Sequence, residues 1–167
     1  MAWIVSCIAS WRMAAAIALA SGGLAAAGAA YAATPFAGLG GSWSGGGHVR
    51  LGNGRSEAIR CQAHYVPRSG GAGLGLALRC ASPSNRIELR ASLTISGNRV
   101  SGTWEERSFN AAGGVSGFAS GASLRLRFGG TIAGSMVVTT SGGSQSISVR
   151  TETSALKGVT VNLRRRN

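Results

Sequence analysis

Aspartate is absent from this 167-residue chain, and only five glutamates and a single lysine, Lys157, are present. Without aspartate, an oxygen-lined calcium loop loses its principal ligand, and a hydrolase triad loses its usual orienting acid. Histidine is limited to His48 and His64, short of the three or four convergent ligands a zinc centre needs. Both alternate with inward positions, which places them in solvent beside Arg50 and Arg60. Aromatic residues make up 6% of the chain, too few to build a stacking platform for single-stranded nucleic acid. No nucleophile elbow and no strand–loop–helix phosphate cradle occurs. From residue 37 onward no capped apolar stripe at i, i+3, i+4, i+7 occurs either, so helices are not expected. These gaps exclude the common catalytic and metal-dependent classes. The expectation is a protein that is not an enzyme and carries no cofactor and no metal.

What the chain has in excess is glycine, 27 residues, and basic side chains, 17 against five acids for a net charge of +12. Residues 1–32 read as a secretory signal. Arg12 precedes a small-apolar run from Met13 to Ala30, and Ala30-Tyr31-Ala32 supplies the small-x-small pattern for cleavage after Ala32. The run is interrupted by Ser21-Gly22-Gly23, which is poor material for a permanent transmembrane span. Ile4-Val5-Ser6-Cys7 has the look of a lipoprotein cleavage box, but it precedes the apolar run and cannot act as one. A periplasmic or secreted location is expected. Residues 33–40 then form a flexible N-terminus, and residues 41–167 form one domain. The cysteines left after cleavage, Cys61 and Cys80, are an even pair expected to form a disulfide in that compartment.

The domain is patterned with period two. Leu74, Leu76, Leu78 and Cys80 alternate with Gly75, Ala77 and Arg79. Ile87, Leu89, Ala91, Leu93 and Ile95 alternate with Glu88, Arg90, Ser92 and Thr94, and Leu124, Leu126 and Phe128 alternate with Arg125 and Arg127. Turn residues punctuate the runs, as in Gly52-Asn53-Gly54 and Ser96-Gly97-Asn98. The predicted strands cover about 41–51, 55–66, 73–81, 86–95, 99–109, 114–119, 122–129, 131–140, 145–151 and 158–164.

Turn positions set the registers, and the charges test them. A hairpin centred on Pro83-Ser84 sets Arg79 opposite Glu88, and one centred on Gly97-Asn98 sets Arg90 opposite Glu105. Each opposite-charge pair across antiparallel strands contributes roughly 0.2–1 kcal/mol. A third hairpin, centred on Gly70-Gly71, sets Cys61 opposite Cys80 on the apolar face. The resulting fold class is all-β, an antiparallel up-and-down meander of about 8–10 strands. With no helix to cover its apolar face, the sheet must close into a small barrel or fold into a β-sandwich, and the barrel is preferred. Its outward face reads Arg, Glu, Ser and Thr, with no apolar band for lipid, so it does not span the membrane after cleavage.

Gly41-Ser42-Trp43 opens the first strand, and Leu163-Arg164-Arg165-Arg166 closes the last. This resembles the lipocalin-type (calycin) barrel, in which an early Gly-x-Trp is covered by an Arg from the final strand. The resemblance implies a cation–π plug at one end. It extends to small exported proteinase-inhibitor barrels, which share the early Gly-x-Trp and one disulfide, and to small exported bacterial proteins of this layout.

The expected role is a β-barrel binding module for a small apolar or amphipathic ligand, in a cavity lined by Trp43, Tyr65, Trp104, Glu106 and Phe118. Glu57 and Glu106 are the acids on inward positions, and a buried carboxylate needs a partner. A protein partner, as for an inhibitor of an exported enzyme, is one alternative. An anionic envelope polymer held by the arginine surface is another.

Overall fold

The computed structural model describes residues 36–152 and 156–166, so the leader assigned to residues 1–32 lies outside the described residues. Ten strands follow one another: β1 (Gly41–Leu51), β2 (Ser56–Arg68), β3 (Gly73–Ala81), β4 (Arg86–Ser96) and β5 (Arg99–Glu106), then β6 (Ala111–Ser120), β7 (Ser123–Gly130), β8 (Gly134–Ser141), β9 (Ser144–Thr151) and β10 (Leu156–Arg165). Each pairs antiparallel with its sequence neighbours, and β1 pairs with β10, so the sheet closes into a barrel. The sandwich alternative is thereby excluded. Single 3₁₀ turns at Ala37–Leu39 and Ser69–Gly71 are the helical segments among the described residues.

The registers set by the turns and tested by charge are those observed. Arg79 faces Glu88, Arg90 faces Glu105 and Cys61 faces Cys80. Cys61 and Cys80 are bonded, with Cα atoms 4.1 Å apart, close to the spacing of a non-hydrogen-bonded antiparallel pair. The disulfide belongs to an oxidising, non-cytoplasmic setting. The charge pairing itself is looser than a continuous ladder. Arg79 Nε lies 3.8 Å from Glu88, while Arg107 turns along its own chain to Glu105 at 3.9 Å. All four side chains are about half exposed or more, so these pairs contribute little beyond register.

Some strand limits differ from the expectation. β5 stops at Glu106 because residues 107–110 turn, with Asn110 at φ 47°. β6 begins earlier, at Ala111, and β8 begins later, at Gly134. Inward alternates fill the core from every strand, among them Val49, Ile59, Leu93, Val100, Leu126, Val138, Val161 and Leu163. Glycine permits the tight coiling of the ring. At Gly47 a Cβ would stand 1.8 Å from the Thr160 carbonyl oxygen of β10. Val66, Phe109, Phe118 and Val137 are the exposed large hydrophobic residues among those described.

Candidate functional site

One end of the barrel is sealed. The 3₁₀ turn at Ala37–Leu39 lies at this end, with Phe36 and Leu39 buried. Trp43 is fully buried, and its Nε1 donates to the Leu39 carbonyl at 2.8 Å. The Arg165 guanidinium sits 4.7 Å from the Trp43 ring and donates to the carbonyls of Gly40, at 2.7 Å, and Gly38. The plug implied by the Gly-x-Trp resemblance is therefore present, and Arg165 supplies its cation. Tyr65 packs edge-on to Trp43, with centroids 6.3 Å apart, and its hydroxyl donates to Gln145 Oε1 at 2.7 Å. Burial pushes the Tyr65 phenol up to about 12, against the opposing effect of Gln145. Every polar handle at this end has a partner.

The rest of the interior differs. Leu89, Val115, Phe128, Met136 and Val149 occupy inward positions yet are only partly buried. Trp104 projects among the inward side chains of β5 with 9% exposure, its indole edge-on to Phe128 at 6.0 Å and 79°. Across from it stand Ala91 on β4 and Gly113 on β6. Its Nε1 is the buried side-chain polar atom without a hydrogen-bond partner among the described residues. Gly134 makes room for this aromatic pair, since a Cβ there would lie 2.5 Å from the Phe128 ring.

The two inward acids serve turns. Glu106 is buried, and its oxygens accept from the backbone N–H groups of Glu88 and Phe109, each at 2.7 Å. It therefore staples the 107–110 turn to β4. Glu57 accepts from the hydroxyls of Ser84 and Ser82 at 2.7 and 2.9 Å, and from the Ser84 amide. Those donors, the Ser84 hydroxyl foremost, hold its pKa below the usual glutamate value.

Phe118 is a correction. It does not face the interior; it is half exposed, with the Arg99 guanidinium 5.5 Å from its ring. β6 turns Ala111, Gly113, Val115, Gly117 and Ala119 inward, so the alternate Phe118 must point out. The inward aromatic partner of Trp104 is Phe128, which its own alternation with Arg125 and Arg127 could have supplied. Of the five residues expected around one cavity, Trp43 and Tyr65 build the sealed end, Glu106 ties a turn, and Trp104 alone presents an unused polar group.

On the outer face Ser42 Oγ lies 3.2 Å from His64 Nδ1, both exposed. A nucleophile and base in this position would need an orienting acid, and none is hydrogen-bonded to His64 among the described residues. Among those residues no three His, Cys, Asp or Glu side chains converge as a metal site would require.

No family model and no curated protein sequence matches the chain. A solved structure does: the crystal structure of Rv2717c from M. tuberculosis is similar with a TM-score of 0.64 and 15% identity, over 80% of this chain and 94% of that one. At this identity the likeness is one of fold. Ten strands also exceed the eight of a lipocalin barrel. The lipocalin resemblance therefore holds at the level of a closed antiparallel barrel with a tryptophan–arginine plug.

Proposed function

We propose that this protein is an exported, non-enzymatic barrel that holds a small apolar ligand in its interior. The observation that carries the reading is the unpartnered Nε1 of Trp104, a buried donor beside the Phe128 ring. Leaving a buried donor unmatched costs about 1–3 kcal/mol. An apolar side chain at this position would avoid that cost, so the buried donor points to a partner outside the chain. A ligand bearing one hydrogen-bond acceptor on an apolar body would satisfy the donor. The partly accessible inward positions Leu89, Val115, Phe128 and Met136 would take the apolar part. Apolar walls with a few placed polar groups are the usual composition of small-molecule sites.

The test is tryptophan fluorescence and native mass spectrometry with a long-chain methyl ketone and the alkane of equal length. The ketone is expected to bind more tightly. Trp104→Phe is expected to lower ketone affinity about tenfold, the worth of one hydrogen bond, and to leave the alkane unaffected. Absence of binding by either compound, or equal binding of both to the wild type, would overturn the proposal.

A further inference from the structure

The outer wall of β1–β4 has a geometry that the interior reading does not use. Antiparallel register aligns its outward side chains in rows: Ser44, Gln62, Arg79 and Glu88 in one, and Gly46, Arg60, Ala81 and Arg86 in the next. Ser44, Gly46 and Ala81 are small, whereas the arginines around them are long. The wall is therefore hollowed where the small residues lie and rimmed by guanidinium groups. The hollow measures about 690 Å³. Through Gln62, Arg79 and Glu88 it runs on into a second lobe of about 230 Å³, to which Arg90 and Arg166 contribute. The Cys61–Cys80 bond lies on the inward side of the same two strands. It holds the floor in a fixed shape, which lowers the ordering cost of anything that binds there.

Five arginines thus meet one glutamate. Glu88 lies 3.8 Å from Arg79 in an exposed pair, and Arg60, Arg86, Arg90 and Arg166 form no ion pair among the described residues. Across the rows Arg60 and Arg86 flank Ala81, and Arg79 stands two residues from it on the same face of β3.

We infer that this trough is a binding site for a linear acidic polysaccharide, a chain of uronate or similarly anionic sugars. Guanidinium groups present the planar, paired donors that match carboxylate geometry. Gln62 and Ser44 offer neutral donors and acceptors between them, suited to sugar hydroxyls. No exposed Phe, Tyr or Trp lines the trough, Trp43 being fully buried, so it has no platform on which nucleic-acid bases could stack. A single sugar chain can lie along the rows of guanidinium groups, with its carboxylates meeting Arg60, Arg79 and Arg86 in turn.

The experiment compares two triple variants of equal charge. Arg60→Gln, Arg79→Gln and Arg86→Gln are combined in one, and Arg125→Gln, Arg127→Gln and Arg150→Gln, on β7 and β9, in the other. Binding to an eight-residue oligogalacturonate is measured by calorimetry across a salt series. The trough triple is expected to lose more than tenfold in affinity at low salt and to flatten the salt dependence, while the β7/β9 triple stays within twofold of wild type. Equal losses in both triples would reduce the effect to bulk charge and overturn the site. Absence of oligogalacturonate binding, or stronger binding to phosphatidylglycerol vesicles or to single-stranded DNA, would also overturn it. Because no interior residue is changed, loss of this proposal leaves the interior reading standing, and the reverse holds.

Discussion

Tyr65 shows how a single buried side chain sets a pH limit on the fold. Its phenol is held neutral by burial, with a folded pKa of about 12 against about 10 for the unfolded chain. The folded state therefore retains a proton that the unfolded state releases. The associated stability is fully present below pH 10 and is lost as pH rises from 10 to 12. Urea midpoints measured at pH 9 and pH 11.5 are expected to fall more steeply for wild type than for Tyr65→Phe, which keeps the ring against Trp43 and removes the titration. Residue identities near the plug were legible in the sequence, because Gly-x-Trp and a terminal arginine run are local patterns. Orientation was legible only where large and small residues alternate. In Ala111–Ser120 both faces carry small side chains, so the bulk of Phe118 outweighs the weaker inward signal of Val115. The unpaired state of Trp104 Nε1 was not legible at all, since it depends on what surrounds the indole in three dimensions.

At the scale of the strand, opposite charges support two registers and the cysteine pair a third. β6 to β10 lack acids opposite their arginines, so their pairing could be read from turn positions alone. The limits of β5, β6 and β8 accordingly moved by up to three residues. Glycine within strands separates into two kinds. Gly47 is required by the approach of β10, where a methyl group would meet the Thr160 carbonyl. Gly114 has room, with its nearest neighbour atom 4.0 Å from the added carbon. Gly47→Ala is expected to destabilise by about 3 kcal/mol or more, and Gly114→Ala to stay within about 0.5 kcal/mol of wild type. Chemical denaturation of the two variants measures the contrast; equal effects would remove the packing argument.

For the whole molecule, closure is the organising fact. Nine hairpin pairings are local, and the tenth joins β1 to β10 across more than a hundred residues. The Cys61–Cys80 bond spans a separation of 19 residues and contributes about 3 kcal/mol through the unfolded chain. Reduction, or the double change Cys61→Ala and Cys80→Ala, is expected to lower the melting temperature by roughly 10 °C. Calorimetry with and without reductant checks this, and an unchanged melting temperature would assign the bond no structural weight.

The β1–β10 seam carries a consequence for biogenesis. The ring cannot shut before Leu156–Arg165 has been synthesised, so a nascent chain, or one cut short of that segment, bears two raw margins of unsatisfied amides and carbonyls. Such margins recruit strands from other copies. Selection on the final ten-residue strand would then act as much against aggregation during manufacture as for anything the finished barrel binds.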